Sequence, residues 1–305
     1  MKNILFSAAA LTALLTAPLA AANGPIDGKV YGKINVSVVN SDDGTNDSWE
    51  LKSNASRIGL KGSTEISEGL SVFYKTEFQV SADGDGDLFK KRNIYAGIKG
   101  KYGSLLAGNN DTLTKVAQKK IDLFNDLDGD IKYTFAGENR EENTVSFQTK
   151  KFNNFSGSYA VMLKGGVADS KSYSVNYNSG NLYFAVAQDS NVNDYDILRI
   201  VSQYSTGPWQ LGIMLQNEEH TDGTIDASGN LFSAAYKSGQ ITYKAQYGNN
   251  ENDLNNEENT IVSFGADVKL AKNSKAFAFY TDRDSEFGDK TGVTESFGIG
   301  FEHKF

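Results

Sequence analysis

Residues 294–305, Thr294-Glu-Ser-Phe-Gly-Ile-Gly-Phe-Glu-His-Lys-Phe305, decide the fold. Successive side chains of a strand point to opposite faces. Phe297, Ile299, Phe301 and Phe305 therefore share one face, while Ser296, Gly298, Gly300, Glu302 and Lys304 share the other. His303 is the single break in the apolar row. Taken alone, such a strand suits any half-buried sheet. Its meaning comes from the chain before it.

That chain begins as an exported one. Met1-Lys-Asn is a short positive start, Ile4 to Leu19 is mostly apolar, and Ala20-Ala21-Ala22 offers a small-x-small cleavage site. This is the pattern of a signal peptide over residues 1–22, too short and wrongly flanked for a spanning helix. Residues 23–305 remain as one domain, one unit more negative than the −8 of the whole chain because only Lys2 is lost. No later stretch reaches the length of a spanning helix. The absence of cysteine excludes a disulfide-stapled secreted scaffold. The negative balance argues against a nucleic-acid partner. With 30 glycines, 3 prolines, 15 tyrosines and 18 phenylalanines, the composition fits many strands, tight turns and aromatic girdles. The 39% apolar content needs no large dry core if the apolar side faces outward and the polar side faces water.

Period-two alternation recurs in segments of about ten residues, the length of a tilted membrane-crossing strand. Sixteen segments are read: 28–39, 54–63, 70–80, 89–100, 103–109, 142–150, 155–163, 171–178, 181–188, 195–205, 208–217, 230–238, 240–248, 260–270, 274–281 and 294–305. Short connections alternate with longer ones at 40–53, 81–88, 110–141, 164–170, 189–194, 218–229, 249–259 and 282–293. Two unlike rims are what a membrane barrel has. An even strand count lets the sheet close, and an open edge in lipid would leave backbone groups unpaired at several kcal/mol each. The expected fold is all-β, a sixteen-stranded antiparallel transmembrane barrel.

Parity then assigns side chains. Trp209, Leu211, Ile213 and Leu215 alternate with Gln210, Gly212, Met214 and Gln216. Val72, Tyr74, Thr76, Phe78 and Val80 alternate with Phe73, Lys75, Glu77 and Gln79. Lys75 or Arg199 facing mid-bilayer lipid would cost about 2–4 kcal/mol. Arg199 is opposite in parity to Leu198, Ile200 and Tyr204, so both cations are read as facing water inside.

The connection 110–141 is too long for an idle loop. Its residues Leu113, Val116, Ile121, Phe124 and Leu127 are too apolar to stay in water, and a short helix can start at the Asp111/Thr112 cap region. The expectation is that it folds into the lumen and narrows it, with Asp111, Asp122, Asp126, Asp128 and Asp130 opposing cations on the wall. Opposed charges across a narrow gap order water and favour polar solutes. The competing reading is an external surface loop.

The run Ser56-Arg57-Ile-Gly-Leu-Lys-Gly-Ser-Thr-Glu-Ile66 resembles the second strand and first turn of the general trimeric porins of Gram-negative outer membranes. Arg92-Asn-Ile-Tyr-Ala-Gly-Ile-Lys99 with Tyr102-Gly-Ser-Leu-Leu-Ala-Gly108 resembles their fourth and fifth strands, and the ending on Phe305 fits as well. The resemblance implies a homotrimer in the outer membrane, in contact with membrane lipid and lipopolysaccharide, whose third external loop enters the lumen opposite wall arginines. It implies Arg57 and Arg92 as wall cations with Lys75 as a third, and Phe297, Ile299, Phe301 and Phe305 as a terminal-strand assembly signal. On parity alone Arg92 goes outward with Ile94, Ala96 and Ile98. The family pattern instead puts Arg92 inside and Tyr95 and Gly97 outside.

Acidic residues crowd the longer connections, as a solvated rim or as a funnel for cations. Asp83-Gly-Asp-Gly-Asp87 and Asp126-Leu-Asp-Gly-Asp130 lack the glycine and glutamate that a calcium loop needs next, so no metal site is assigned. Only His220 and His303 exist, and no nucleophile or metal-spaced pair accompanies them. No enzyme and no cofactor are expected. The resemblance points to a general diffusion porin passing ions and small hydrophilic solutes, with mild cation preference from the net charge. The alternatives are a sugar- or oligosaccharide-selective channel and a structural or adhesive barrel with a plugged lumen.

Overall fold

The computed structural model describes residues 27–164, 167–288 and 291–305. The expected signal peptide, 1–22, lies outside them. Strands β1 to β6 are Asp27–Asp42, Asp47–Ser53, Arg57–Ser67, Leu70–Val80, Phe89–Lys99 and Gly103–Asp111. Helix α1, Leu113–Ala117, and a 3-10 turn, Ile131–Tyr133, follow. Strands β7 to β12 are Arg140–Thr149, Phe155–Lys164, Val167–Ser179, Leu182–Val192, Tyr195–Thr206 and Trp209–His220. Strands β13 to β17 are Asp226–Ser238, Ile241–Asn252, Glu257–Ala271, Ser274–Ser285 and Gly292–Lys304.

Neighbours in sequence pair antiparallel, and β17 returns to β1 from Lys33↔Lys304 to Asp42↔Glu295, so the sheet closes. Phe305 completes the seam: its N–H donates to the Gly32 carbonyl at 3.1 Å, and the Gly32 N–H donates back at 3.0 Å. Strands β2 and β3 are halves of one barrel strand, since both pair with β1, at Val36↔Ser53 and Lys33↔Arg57. The barrel is therefore sixteen-stranded and antiparallel, with one broken strand.

The break is a bulge in which Asn54, Ala55 and Ser56 oppose Ile34 and Asn35. Ala55 sits at φ +49, and Asn35 exchanges two hydrogen bonds with the Ser56 hydroxyl, at 2.9 and 3.0 Å. The long connection expected at 40–53 is mostly strand: β1 runs on to Asp42 and β2 occupies the second half. The connections expected at 164–170, 189–194, 218–229 and 249–259 are likewise largely strand. Backbone pairing continues past the apolar belt, where polar side chains no longer advertise it.

The parity is observed. Phe297, Ile299, Phe301 and Phe305 are exposed on one face of β17, with apolar rows such as Leu211, Ile213 and Leu215 doing the same elsewhere. The bare residues of β17 have a use on the polar face. The Phe279 and Phe277 rings of β16 lie against Gly298 and Gly300, where any side chain would collide with them. His303, the break in the apolar row, stacks with Phe301 and Phe305 and shares a 2.8 Å hydrogen bond with the Ser274 hydroxyl. These features make the protein a transmembrane barrel, apolar outside and polar within.

Candidate functional site

Residues 112–139 satisfy only part of their backbone within the segment, in turns such as Val116 N–H to the Thr112 carbonyl and Phe135 N–H to the Ile131 carbonyl, so the remaining groups need partners from elsewhere. The polar face of the strands supplies them. The Leu113 N–H donates to Ser172 at 2.9 Å, and Tyr183 donates to the Ala117 carbonyl at 3.0 Å. Lys244 reaches the Leu123 carbonyl at 3.0 Å, and Gln246 binds both the Leu123 N–H and the Gly129 carbonyl. Asn250 donates to the Thr134 carbonyl at 3.1 Å. Thr112 caps α1 as the sequence suggested, accepting from the Lys115 N–H at 3.3 Å.

Apolar anchors complete the seat. Ala117, Ile121, Ile131 and Phe135 form a cluster with Tyr183, Ala185, Ala187, Val201, Met214 and Leu231. Phe124 and Leu127 join Val39, Phe277 and Phe279 on the opposite arc of the barrel. Val116 is the exception among the expected anchors. It remains 55% exposed beside the larger cavity, because α1 turns it away from the wall.

Six wall residues and the segment meet at one charged station. Asp126 accepts from Arg57 at 2.6 Å and from Lys33 at 2.8 Å. Burial pushes the Asp126 carboxyl up, but Lys33 and Arg57 override it and hold the group below its ordinary value. Glu77, only 4% exposed, takes the Arg92 Nε at 2.9 Å, Lys75 at 3.2 Å and the Tyr31 hydroxyl at 2.8 Å. The Arg57 Nε also donates to the Ala55 carbonyl at 3.0 Å, so the bulge aims the guanidinium.

The inward position of Arg92 also comes from a bulge. Arg92 and Asn93 together oppose Glu77, which resets the parity of β5. Ile94, Ala96 and Ile98 keep the outer face while Arg92 joins the polar one. Tyr95 and Gly97 lie on the polar face, against the expectation: Tyr95 pairs with Lys75 and meets the Phe73 ring at 6.2 Å.

The other named residues fall elsewhere. Arg199 is fully buried under the segment rather than lining free space. It donates to Gln216 at 2.6 Å, to Glu138 at 2.8 Å and to the Ala136 carbonyl at 2.9 Å. Asp128 pairs with Lys52 at 3.0 Å, and Asp111, at the end of β6, pairs with Arg140 at 2.8 Å. Asp122 and Asp130 fold the segment itself: Asp122 accepts from the Phe124 N–H and Asp130 from the Asp126 and Lys132 N–H groups. Burial, then Asp130 and Glu138, push the Asp122 carboxyl well above its ordinary value. Lys33, Glu77, Glu138 and Glu302 were not singled out from sequence, although each is an ionisable residue on the polar parity or inside the long connection.

Two polar cavities, of about 930 and 710 Å³, flank the station. The larger reaches Asp83, Asn193 and Phe287 at one rim, and the smaller reaches Gly32 and Phe305 at the other. Arg57, Asn125 and Asp126 border both.

Residues 7–288 match the family described as Gram-negative porin. The chain belongs to the Gram-negative porin family. This porin is similar to the major outer membrane protein P.IB of Neisseria meningitidis serogroup B, with 26% identity over 82% of this chain and 83% of the relative. In fold it is similar to an anion-selective porin from Comamonas acidovorans, with a TM-score of 0.80 and 18% identity over 92% of this chain and 100% of that one. It is also similar to Salmonella typhi OmpF, with a TM-score of 0.76 and 15% identity over 91% and 97%. The porin is thus an integral outer-membrane protein, a porin-type diffusion channel without enzymatic chemistry.

Proposed function

We propose that this porin is a general diffusion channel in which segment 112–139 lies inside the barrel and sets the narrowest point. The observation that carries the reading is the sharing of Arg57, Asn125 and Asp126 by two polar cavities that reach opposite rims. A solute moving between the cavities passes between a wall arginine and a loop carboxylate. The cations Arg57, Lys75 and Arg92, gathered around Glu77, act as the wall side of the filter. Asp126 is the loop side, with Asp128 and Asp111 lining the approach. Arg199, Asp122 and Asp130 serve the filter indirectly by fixing the segment.

Selectivity follows from the lining more than from the whole chain. Acidic and basic side chains are equal in number around the larger cavity, and cations exceed acids by one around the smaller. The excess acids sit toward the outer rim, and screening over about 8–10 Å separates them from the station. We assign the mild cation preference to that rim and expect it to be weak. The exposed apolar residues Val38, Trp49, Leu51 and Ile299 supply surface for homotrimer packing and for lipid. The terminal row from Phe297 to Phe305 serves as the assembly signal of the last strand.

Purified protein in a planar bilayer tests the reading. It should insert in three equal, nearly ohmic steps, with Arg57→Ala raising cation selectivity. An electrically silent bilayer would overturn the channel, and an unchanged reversal potential in Arg57→Ala would remove that residue from the filter.

A further inference from the structure

The rim of the larger cavity carries a feature the charged station does not use. Phe287 follows β16 in sequence, yet it packs with Ile225 just before β13, Ala227 at its start and Tyr195 at the start of β11. Strands β14 and β15 lie between β16 and β13. At about 4.8 Å per strand, the chain has bridged roughly 14 Å of wall instead of following the rim. Phe287 is 7% exposed, and with Gly288 it borders the 930 Å³ cavity.

One side chain adds to the strand pairing, which reaches Glu286 through its N–H to the Glu258 carbonyl at 3.2 Å, and carries the turn on to Phe287. The Asn259 carboxamide accepts from the Glu286 N–H at 2.9 Å and the Phe287 N–H at 3.2 Å, and donates to the Phe287 carbonyl at 3.2 Å. A buried amide with both ends satisfied is fixed in orientation. The residue before Asn259 on the same strand adds a clasp: the Glu258 N–H donates to the Glu286 carboxylate at 2.8 Å. Ser285 donates to the Tyr133 carbonyl at 3.2 Å, which ties the turn to the 3-10 turn of segment 112–139.

We propose that Phe287, positioned by Asn259, forms a second, outer narrowing that sorts uncharged hydrophilic solutes by size. This rests on the diffusion-channel reading above. The element that borders the cavity here is an apolar ring and a neutral amide, so it acts by volume. The ion-paired station deeper in acts by charge. Small ions feel the second, and oligosaccharides near the size limit feel the first.

Liposome swelling with mono-, di- and trisaccharides tests the proposal in the wild type, Phe287→Ala and Asn259→Ala, with heat-modifiable migration confirming folded barrels. The expected result is a rise of roughly two- to fivefold in trisaccharide uptake in both variants, with monosaccharide uptake and reversal potential unchanged. Because the chain has no cysteine, Phe287→Cys gives a second readout: a bulky methanethiosulfonate reagent should lower single-channel conductance in a step. Wild-type sieving in both variants, together with a silent Phe287→Cys modification, would overturn the outer narrowing while leaving the channel intact. A wild type that passes neither ions nor sugars would instead remove the channel reading itself.

Discussion

Glu77 Oε1 lies 2.9 Å from the Arg92 Nε and 3.9 Å from the nearer Arg57 nitrogen, so one wall carboxylate divides its charge between two wall arginines. Lys75 closes on the same group. Three cations are thereby kept on the wall without a bare positive ring.

Glu77→Gln should leave those cations undercompensated and move the reversal potential toward anions. A partly screened charge is worth about 0.5–1 kcal/mol, or roughly two- to fivefold in permeability ratio. A salt-gradient measurement reads this directly, and a shift toward cations would contradict the arrangement.

Gly212→Ala should unseat the segment without harming the barrel. A methyl group there would stand 2.7 Å from the Ile121 Cγ2, a clash worth about 1–3 kcal/mol. Open-channel noise should increase and proteolysis between residues 113 and 138 should speed up, while heat-modifiable migration stays normal.

Arg199→Ala should do the same more severely. It strips the buried Glu138 carboxylate of its closest cation and frees the Ala136 carbonyl, and breaking such a pair costs about 3–5 kcal/mol. Conductance should become larger and unsteady. Steady wild-type currents in this variant would mean that the segment is held by its apolar anchors alone.

Seating of the segment should weaken as pH rises. Burial, then Asp130 and Glu138, raise the Asp122 carboxyl well above its ordinary 3.8, and burial also raises Glu138 against the pull of Arg199 and Lys115. Detached from the wall, each would ionise at its ordinary value, so the seated state is fully favoured below that value and loses ground as pH climbs through the raised one. Current noise against pH measures this, and Asp122→Asn should flatten the curve. Asp126 has the opposite sign: its depressed carboxyl keeps the Arg57 pair above the ordinary value and loses it only as pH falls through the lowered one.

Removing Phe305 should cost the two hydrogen bonds to Gly32, about 0.5–1.5 kcal/mol each, and slow closure of the barrel. Folding into lipid vesicles, followed by gel migration, would show the delay.

Strand parity was legible because lipid enforces it. The row Phe297, Ile299, Phe301 and Phe305, and the opposite setting of Lys75 and Arg199, needed only a period of two. Two bulges were not legible. Arg92 turns inward because it and Asn93 share one partner, and the barrel's second strand breaks at Ala55. An extra residue in a ladder leaves no mark in hydrophobicity, and it reverses the parity of everything beyond it.

The long connection from 110 to 141 was recognisable by its length, its acids and apolar residues such as Leu113, Val116, Ile121, Phe124 and Leu127, of which four are buried and Val116 is not. Its partners were out of reach. Asp126 meets Arg57 and Lys33 from 69 and 93 residues away, and Arg199 finds Glu138 across 61. The chain's alternation thus determined a closed membrane barrel with a wet interior, because each strand answers locally to lipid on one side and water on the other. Which charges meet was decided only by tertiary structure, since closing the sheet and packing one segment against its polar face join residues that no local pattern relates.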